Sequence, residues 1–134
     1  IFALPKSGGT PRVLYATQNH QNVIRLASDG THLYFFFEAE PKSGHYKPAR
    51  MPKSGGVPEV LGPDVALSRR SALSDTHVYF FRKAGLTSDV LVRLPKSGGE
   101  PETVDGAGHS TGYLTVAGGD VYFTDISRVY RVPK

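Results

Sequence analysis

At 134 residues the chain has the length of one domain, and 39% hydrophobic residues are enough for a core. It contains no cysteine, which excludes disulfides and thiolate metal sites, and no apolar run approaches the roughly 20 residues of a membrane-spanning helix. The formal charge of +4 is spread over 16 Lys and Arg. Only Arg69-Arg70 and Arg82-Lys83 are adjacent pairs, which argues against the clustered positive face of a nucleic-acid binder.

The predicted elements are strands throughout. Residues 1–4 read as a short strand, closed by the turn Pro5-Lys6-Ser7-Gly8-Gly9, in which Gly supplies the positive φ that reverses the chain. Residues 11–15 are a short strand with proline near its start, the placement expected of an edge strand. The polar run 16–22 is a loop, 23–27 a strand and Ser28-Asp29-Gly30-Thr31 a tight turn. Residues 32–37 are apolar without alternation, which predicts a strand buried on both faces. Residues 38–44 form a loop, and 45–51 the strand that enters a second turn, Pro52-Lys53-Ser54-Gly55-Gly56.

The same order then recurs. Residues 58–61 read as a strand, 62–69 as mostly loop, 70–73 as a strand, and Ser74-Asp75-Thr76 as a turn. His77-Val78-Tyr79-Phe80-Phe81 answers His32-Leu33-Tyr34-Phe35-Phe36. Residues 82–88 are a loop and 89–94 a strand into the third turn, Pro95-Lys96-Ser97-Gly98-Gly99. Strands at 102–104, 112–116, 121–124 and 128–132 complete the pattern, with a loop at 105–111. A fourth copy of the turn begins at Pro133-Lys134.

The strand tyrosines Tyr34, Tyr79 and Tyr122 are 45 and 43 residues apart. A period of about 40–50 residues holding four short strands is that of a β-propeller blade. The expected fold class is therefore all-β: a partial propeller over 1–134 with about three four-stranded antiparallel blades, counted by turn spacing as 1–51, 52–94 and 95–134. Three blades are too few for a ring, since closed propellers have about four to eight. With no initiator Met, and a repeat that breaks off at Lys134, the chain reads as part of something longer.

Val121-Tyr122-Phe123-Thr124-Asp125, followed by Val129-Tyr130-Arg131-Val132-Pro133-Lys134, resembles the YWTD repeat of receptor-type propellers. It is similar also to bacterial TolB-like propellers. The Pro-Lys-Ser-Gly-Gly turn favours the latter. Phe stands in place of Trp at 35, 80 and 123, and the Thr-Asp pair occurs only at Thr124-Asp125. The resemblance implies six blades in the parent ring, about half of them here, and an extracytoplasmic binding role.

Propeller connectivity separates two faces. The near-identical tight turns lie on one; the loops that differ between repeats lie on the other, and variable loops on a rigid scaffold suggest recognition. The expected function is a non-catalytic scaffold that binds a protein or a glycan through Gln18, Asn19, His20, Glu38, Glu40, Asp64, Arg69, Lys83, Asp105 and His109. Another chain, or the remaining blades of the same propeller, is a further expected partner. The alternatives are a lactonase-like, metal-assisted hydrolase, for which Asp64, His20 and His109 are the candidates, or a surface-assembly component. No motif calls for a cofactor. His32 and His77 sit at equivalent places beside a turn and read as structural. Lys6, Lys53 and Lys96 read as exposed turn residues. The Gly-Gly pairs are not phosphate loops, because no helix follows to supply a dipole.

Overall fold

Phe35 and Phe36 are neighbours in sequence, yet both are 1% exposed. Successive side chains of a strand point to opposite faces, so a strand that buries both needs an apolar partner on each side. The computed structural model supplies one. It describes residues 1–18, 21–86, 88–109 and 112–134, with the side chains of residues 69 and 107–109 outside that description. Asn19 and His20 also lie outside it.

Among the described residues the fold is all-β, with no helix and only antiparallel pairing. The strands are β1 (Phe2–Ala3), β2 (Arg12–Val13), β3 (Val23–Ser28), β4 (His32–Glu38), β5 (His45–Pro52), β6 (Glu59–Val60), β7 (Val65–Leu73), β8 (His77–Lys83), β9 (Asp89–Pro95), β10 (Glu102–His109), β11 (Leu114–Ala117), β12 (Asp120–Thr124) and β13 (Val129–Pro133). Consecutive strands pair as meanders: β1-β2, β3-β4-β5-β6, β7-β8-β9-β10 and β11-β12-β13.

Three apolar layers lie between these meanders. Phe35, Ala49 and Met51 pack with Ile1, Leu14 and Tyr15 beside the β1-β2 hairpin. Tyr34 and Phe36 pack with Val78, Phe80, Val92 and Leu94. Tyr79 and Phe81 pack with Val121 and Phe123. One aromatic pair marks each junction: Tyr15–Phe35 with centroids 5.6 Å apart, Phe36–Phe80 edge-on at 5.1 Å, and Phe81–Phe123 edge-on at 5.5 Å.

The Pro-Lys-Ser-Gly-Gly turns are built alike. The amides of Gly8, Gly55 and Gly98 donate to the carbonyls of Pro5, Pro52 and Pro95 at 2.9, 3.0 and 2.9 Å. Both glycines of each copy have positive φ, a conformation that costs a side chain dearly. The later turns also seat on the preceding meander. The Gly99 amide donates to Leu61 O at 2.8 Å, and a Cβ on Gly98 would stand 3.1 Å from that same oxygen. Across the β5-β6 and β9-β10 hairpins an ion pair stands at the same register: Arg50–Glu59 at 2.7 Å and Arg93–Glu102 at 2.8 Å. The first hairpin has Ala3 opposite Arg12 instead, and Arg12 donates to Ser54 O of the next turn at 3.3 Å.

The expected loops 38–44 and 82–88 begin later than read, because Glu38 ends β4 and Arg82 and the candidate Lys83 end β8, and two further stretches expected as loops are strands. Residues 62–69 contribute most of β7, and 105–109 belong to β10, so Asp105 and His109 stand in a strand and not in a loop. The reason is main-chain hydrogen bonding. After a kink at 61–64, the start of β7 pairs with β5 (His45↔Ala66, Tyr46↔Val65), extending the edge begun by β6. The rest of β7 crosses to pair with β8 in the next meander. Strand β10 likewise follows β9 as far as His109↔Asp89, with register shifts on the way. The connection uses a free sheet edge that a solvated loop would leave open. Through the β5–β7 pairing, β3 to β10 form one eight-stranded sheet, flanked by the two-stranded β1-β2 sheet and the three-stranded β11-β13 sheet.

Candidate functional site

The two ends of the meanders differ in chemistry. At one end the tight turns interlock: the amides of Lys53, Lys96 and Lys134 donate to Thr31, Thr76 and Gly119 carbonyls at 3.0, 2.8 and 3.0 Å. Lys96 is not a free turn residue. Its ammonium pairs with Asp29 of the preceding repeat at 2.8 Å and lies 4.8 Å from the centre of the Tyr34 ring. Lys96, with the amides of His32 and Thr31, holds the Asp29 carboxyl well below the usual carboxylate range. The carboxylate is thus favoured in the folded state, and its stabilising effect is complete above the ordinary value of 3.8 and lost as pH falls below it. Asp29→Asn is expected to be less stable than wild type at pH 7, with the gap closing toward pH 2.5. Urea midpoints at both pH values check this; a constant gap would refute it.

His32 and His77 belong to the same end. Each Nδ1 lies 2.8 Å from the preceding threonine hydroxyl, and burial lowers the His77 pKa.

At the other end the variable connections meet. Gln21 Nε2 donates to Glu38 O and Ala39 O, and Asn22 donates to Glu38 Oε2 through its backbone and side-chain amides, both at 3.0 Å. Glu38, 3% exposed, anchors the loop before β3 to the end of β4 and is not presented to a partner. Of the other candidates, Gln18, Glu40, Asp64 and Lys83 are exposed, and Asp105 is partly buried in β10. The side chains of Arg69 and His109, like Asn19 and His20, lie outside the description. Among the described residues no three His, Asp or Glu side chains stand together as a metal-binding group.

What the structure does bring together at this end was not among the candidates. The first strands of successive meanders approach one another, β3 to β7 and β7 to β11. Arg25 on β3, Arg70 on β7 and Tyr113 just before β11 each stand nine residues before a strand tyrosine, so they occupy one position of the repeat. Arg25 has φ +59°, and the β3–β4 register slips between Ile24 and Ala27. Such a bulge re-aims a side chain. Arg25 Nη2 donates to Ser68 O on the neighbouring β7 at 3.1 Å, while its buried Nε has no hydrogen-bond partner. The Arg70 guanidinium lies 4.8 Å over the Tyr113 ring. These three residues and Gly112 line a cleft of about 440 Å³. Gly112 packs closely on β12: a Cβ there would sit 2.6 Å from the Thr124 hydroxyl.

A left-handed arginine is strained, and strain of this kind gathers at binding sites. Arg25→Gly should be more stable than Arg25→Ala by about 1 kcal/mol, the reverse of the usual strand preference. Urea unfolding of the two variants checks it, and an alanine variant at least as stable as the glycine variant would refute it.

The Asp125 carboxyl, lowered to about 2, receives the Tyr130 hydroxyl and the amides of Ser127 and Arg128, closing the turn between β12 and β13. That gives Asp125 of the Thr124-Asp125 pair a turn-capping role. No helix among the described residues is long and apolar enough to cross a membrane. No protein-family model matches the chain, and no curated protein matches it.

Proposed function

We propose that the chain is part of a β-propeller of the YWTD or TolB-like type and acts as a non-catalytic binding scaffold. A protein or glycan partner is recognised at the end where its first strands begin. Three features support the propeller. Two runs of four consecutively paired strands, β3 to β6 and β7 to β10, follow the sequence repeat within one eight-stranded sheet, the first strands β3, β7 and β11 approach one another, and an aromatic pair lies at each junction. The outward side of the β11-β13 sheet carries Thr115, Tyr122 and Thr124 at positions where Tyr34 and Phe36, or Tyr79 and Phe81, meet the next meander. It offers a seat for a further sheet of the same repeat.

The observation that carries the binding role is the cleft of Arg25, Arg70 and Tyr113. One repeat position, taken from three successive repeats, points cations and a ring into a single hollow beside the variable loops. The Pro-Lys-Ser-Gly-Gly turns keep the same residues in each complete copy, whereas this position exchanges Arg for Tyr. A panel of immobilised glycans and extracellular proteins, probed with the purified chain, tests the reading. Binding should weaken when Arg25 or Arg70 is replaced and persist when Lys6 and Lys53 of the opposite end are replaced. The reading fails if no ligand binds, or if the Lys6 and Lys53 variants alone lose binding.

A further inference from the structure

We propose that the cleft between Arg25, Arg70 and Tyr113 takes the carboxylate of an acidic sugar, a uronate-type unit of a glycan; this rests on the reading of the chain as a binding scaffold. Neither guanidinium forms an ion pair with a carboxylate among the described residues, whereas Arg50, Arg93 and Arg131 each do. Arg25 spends one nitrogen on Ser68 O and leaves the buried Nε without a partner, so the site holds an unused donor in place. Ser68 in turn donates its hydroxyl to Asp89. A planar guanidinium fork matches the two oxygens of a carboxylate.

Tyr113 selects what carries the carboxylate. Tyr113 is 68% exposed, with Arg70 over one face of its ring. An exposed aromatic ring suits the flat C–H face of a pyranose. A peptide would instead need main-chain partners. Here the Gly112 amide already donates to Thr124 O at 2.8 Å and the Tyr113 amide to Thr124 Oγ1 at 3.0 Å, so neither is free to extend a strand. An acidic sugar uses what is offered: two cations and a ring.

The test is a calorimetric and ¹⁵N NMR titration of the purified chain with tetragalacturonate. Its methyl ester, tetraglutamate and inorganic phosphate serve as comparison probes. Tetragalacturonate should shift the amides around Arg25, Arg70 and Tyr113 and bind at least about tenfold more tightly than the ester, the loss expected when a charged hydrogen bond is removed. Arg70→Lys, which keeps the charge but not the fork, should weaken binding several-fold. The ester comparison needs no variant, so a misfolded mutant cannot obscure the outcome. Equal affinity for acid and ester overturns the proposal, as does tighter binding of tetraglutamate or phosphate. Failure to bind tetragalacturonate, with a neutral glycan or a protein still bound at the same residues, overturns this inference alone. Failure to bind any probe or panel member overturns the binding reading beneath it.

Discussion

Phe80→Ala is expected to cost about 3–5 kcal/mol, the range for truncating a buried aromatic. Phe80 is fully buried, pairs edge-on with Phe36 across a junction, and sits in the layer built by Tyr34, Val78, Val92 and Leu94. The hole would open between two meanders, where neither sheet can close it without losing the register of its own hydrogen bonds. Phe81→Ala should cost a similar amount through the next junction, where its partner is Phe123. A total stability of about 5–15 kcal/mol is usual for a domain, so either change is a large fraction of it. Val57→Ala, at an 89% exposed turn position, should stay within about 0.5 kcal/mol and serves as the control. Urea unfolding of the three variants decides the matter. A loss below about 1 kcal/mol for Phe80→Ala would mean that the layer between the meanders is loosely packed.

The second large effect is expected at a turn. Gly98→Ala places a Cβ at φ +90° and 3.1 Å from Leu61 O, a backbone atom that cannot swing aside. Strained backbone and close approach together should cost about 2–4 kcal/mol. Gly8→Ala has nearly the same φ, +86°, but open space around its Cβ. It should cost only the conformational part, about 1–2 kcal/mol. The difference isolates the docking of one repeat's turn on the preceding meander. Equal losses for the two variants would show that the turns are needed only to reverse the chain.

The all-β class and the order of strands were legible because the residues that impose them recur. Tyr34-Phe35-Phe36 and Tyr79-Phe80-Phe81 lack alternation for a reason that follows from strand geometry alone: each strand faces an apolar layer on both sides. The paired glycines announce positive φ wherever they fall. The extension of β7 and β10 was hidden, because residues 62–69 and 105–109 carry the Gly, Pro, Ser and Asp that ordinarily mark loops. What makes them strands is an open edge on β5 and β9, a fact of tertiary structure. Glu38 was misjudged for a related reason: it was placed in the variable loop 38–44, but it ends β4 and Asn22 folds over it. The Arg25–Arg70–Tyr113 cleft could have been found by aligning the repeats on their strand tyrosines, which sets the three residues in one column. That Arg25 turns toward β7 could not, since nothing in the sequence marks an arginine for the left-handed region.

The central structural proposal is that the meanders fan out from their first strands and do not lie parallel as in a sandwich. The chain has no cysteine, so pairs of spin labels can be placed freely. Leu26 and Ser71 hold equivalent positions on β3 and β7, while Val60 and Thr103 hold equivalent positions on the outer strands β6 and β10. Pulsed electron resonance on the Leu26→Cys/Ser71→Cys and Val60→Cys/Thr103→Cys variants compares the two ends of one junction. A fan requires the outer pair to be clearly farther apart than the inner pair. Equal separations, both set by the about 10 Å spacing of stacked sheets, would contradict it.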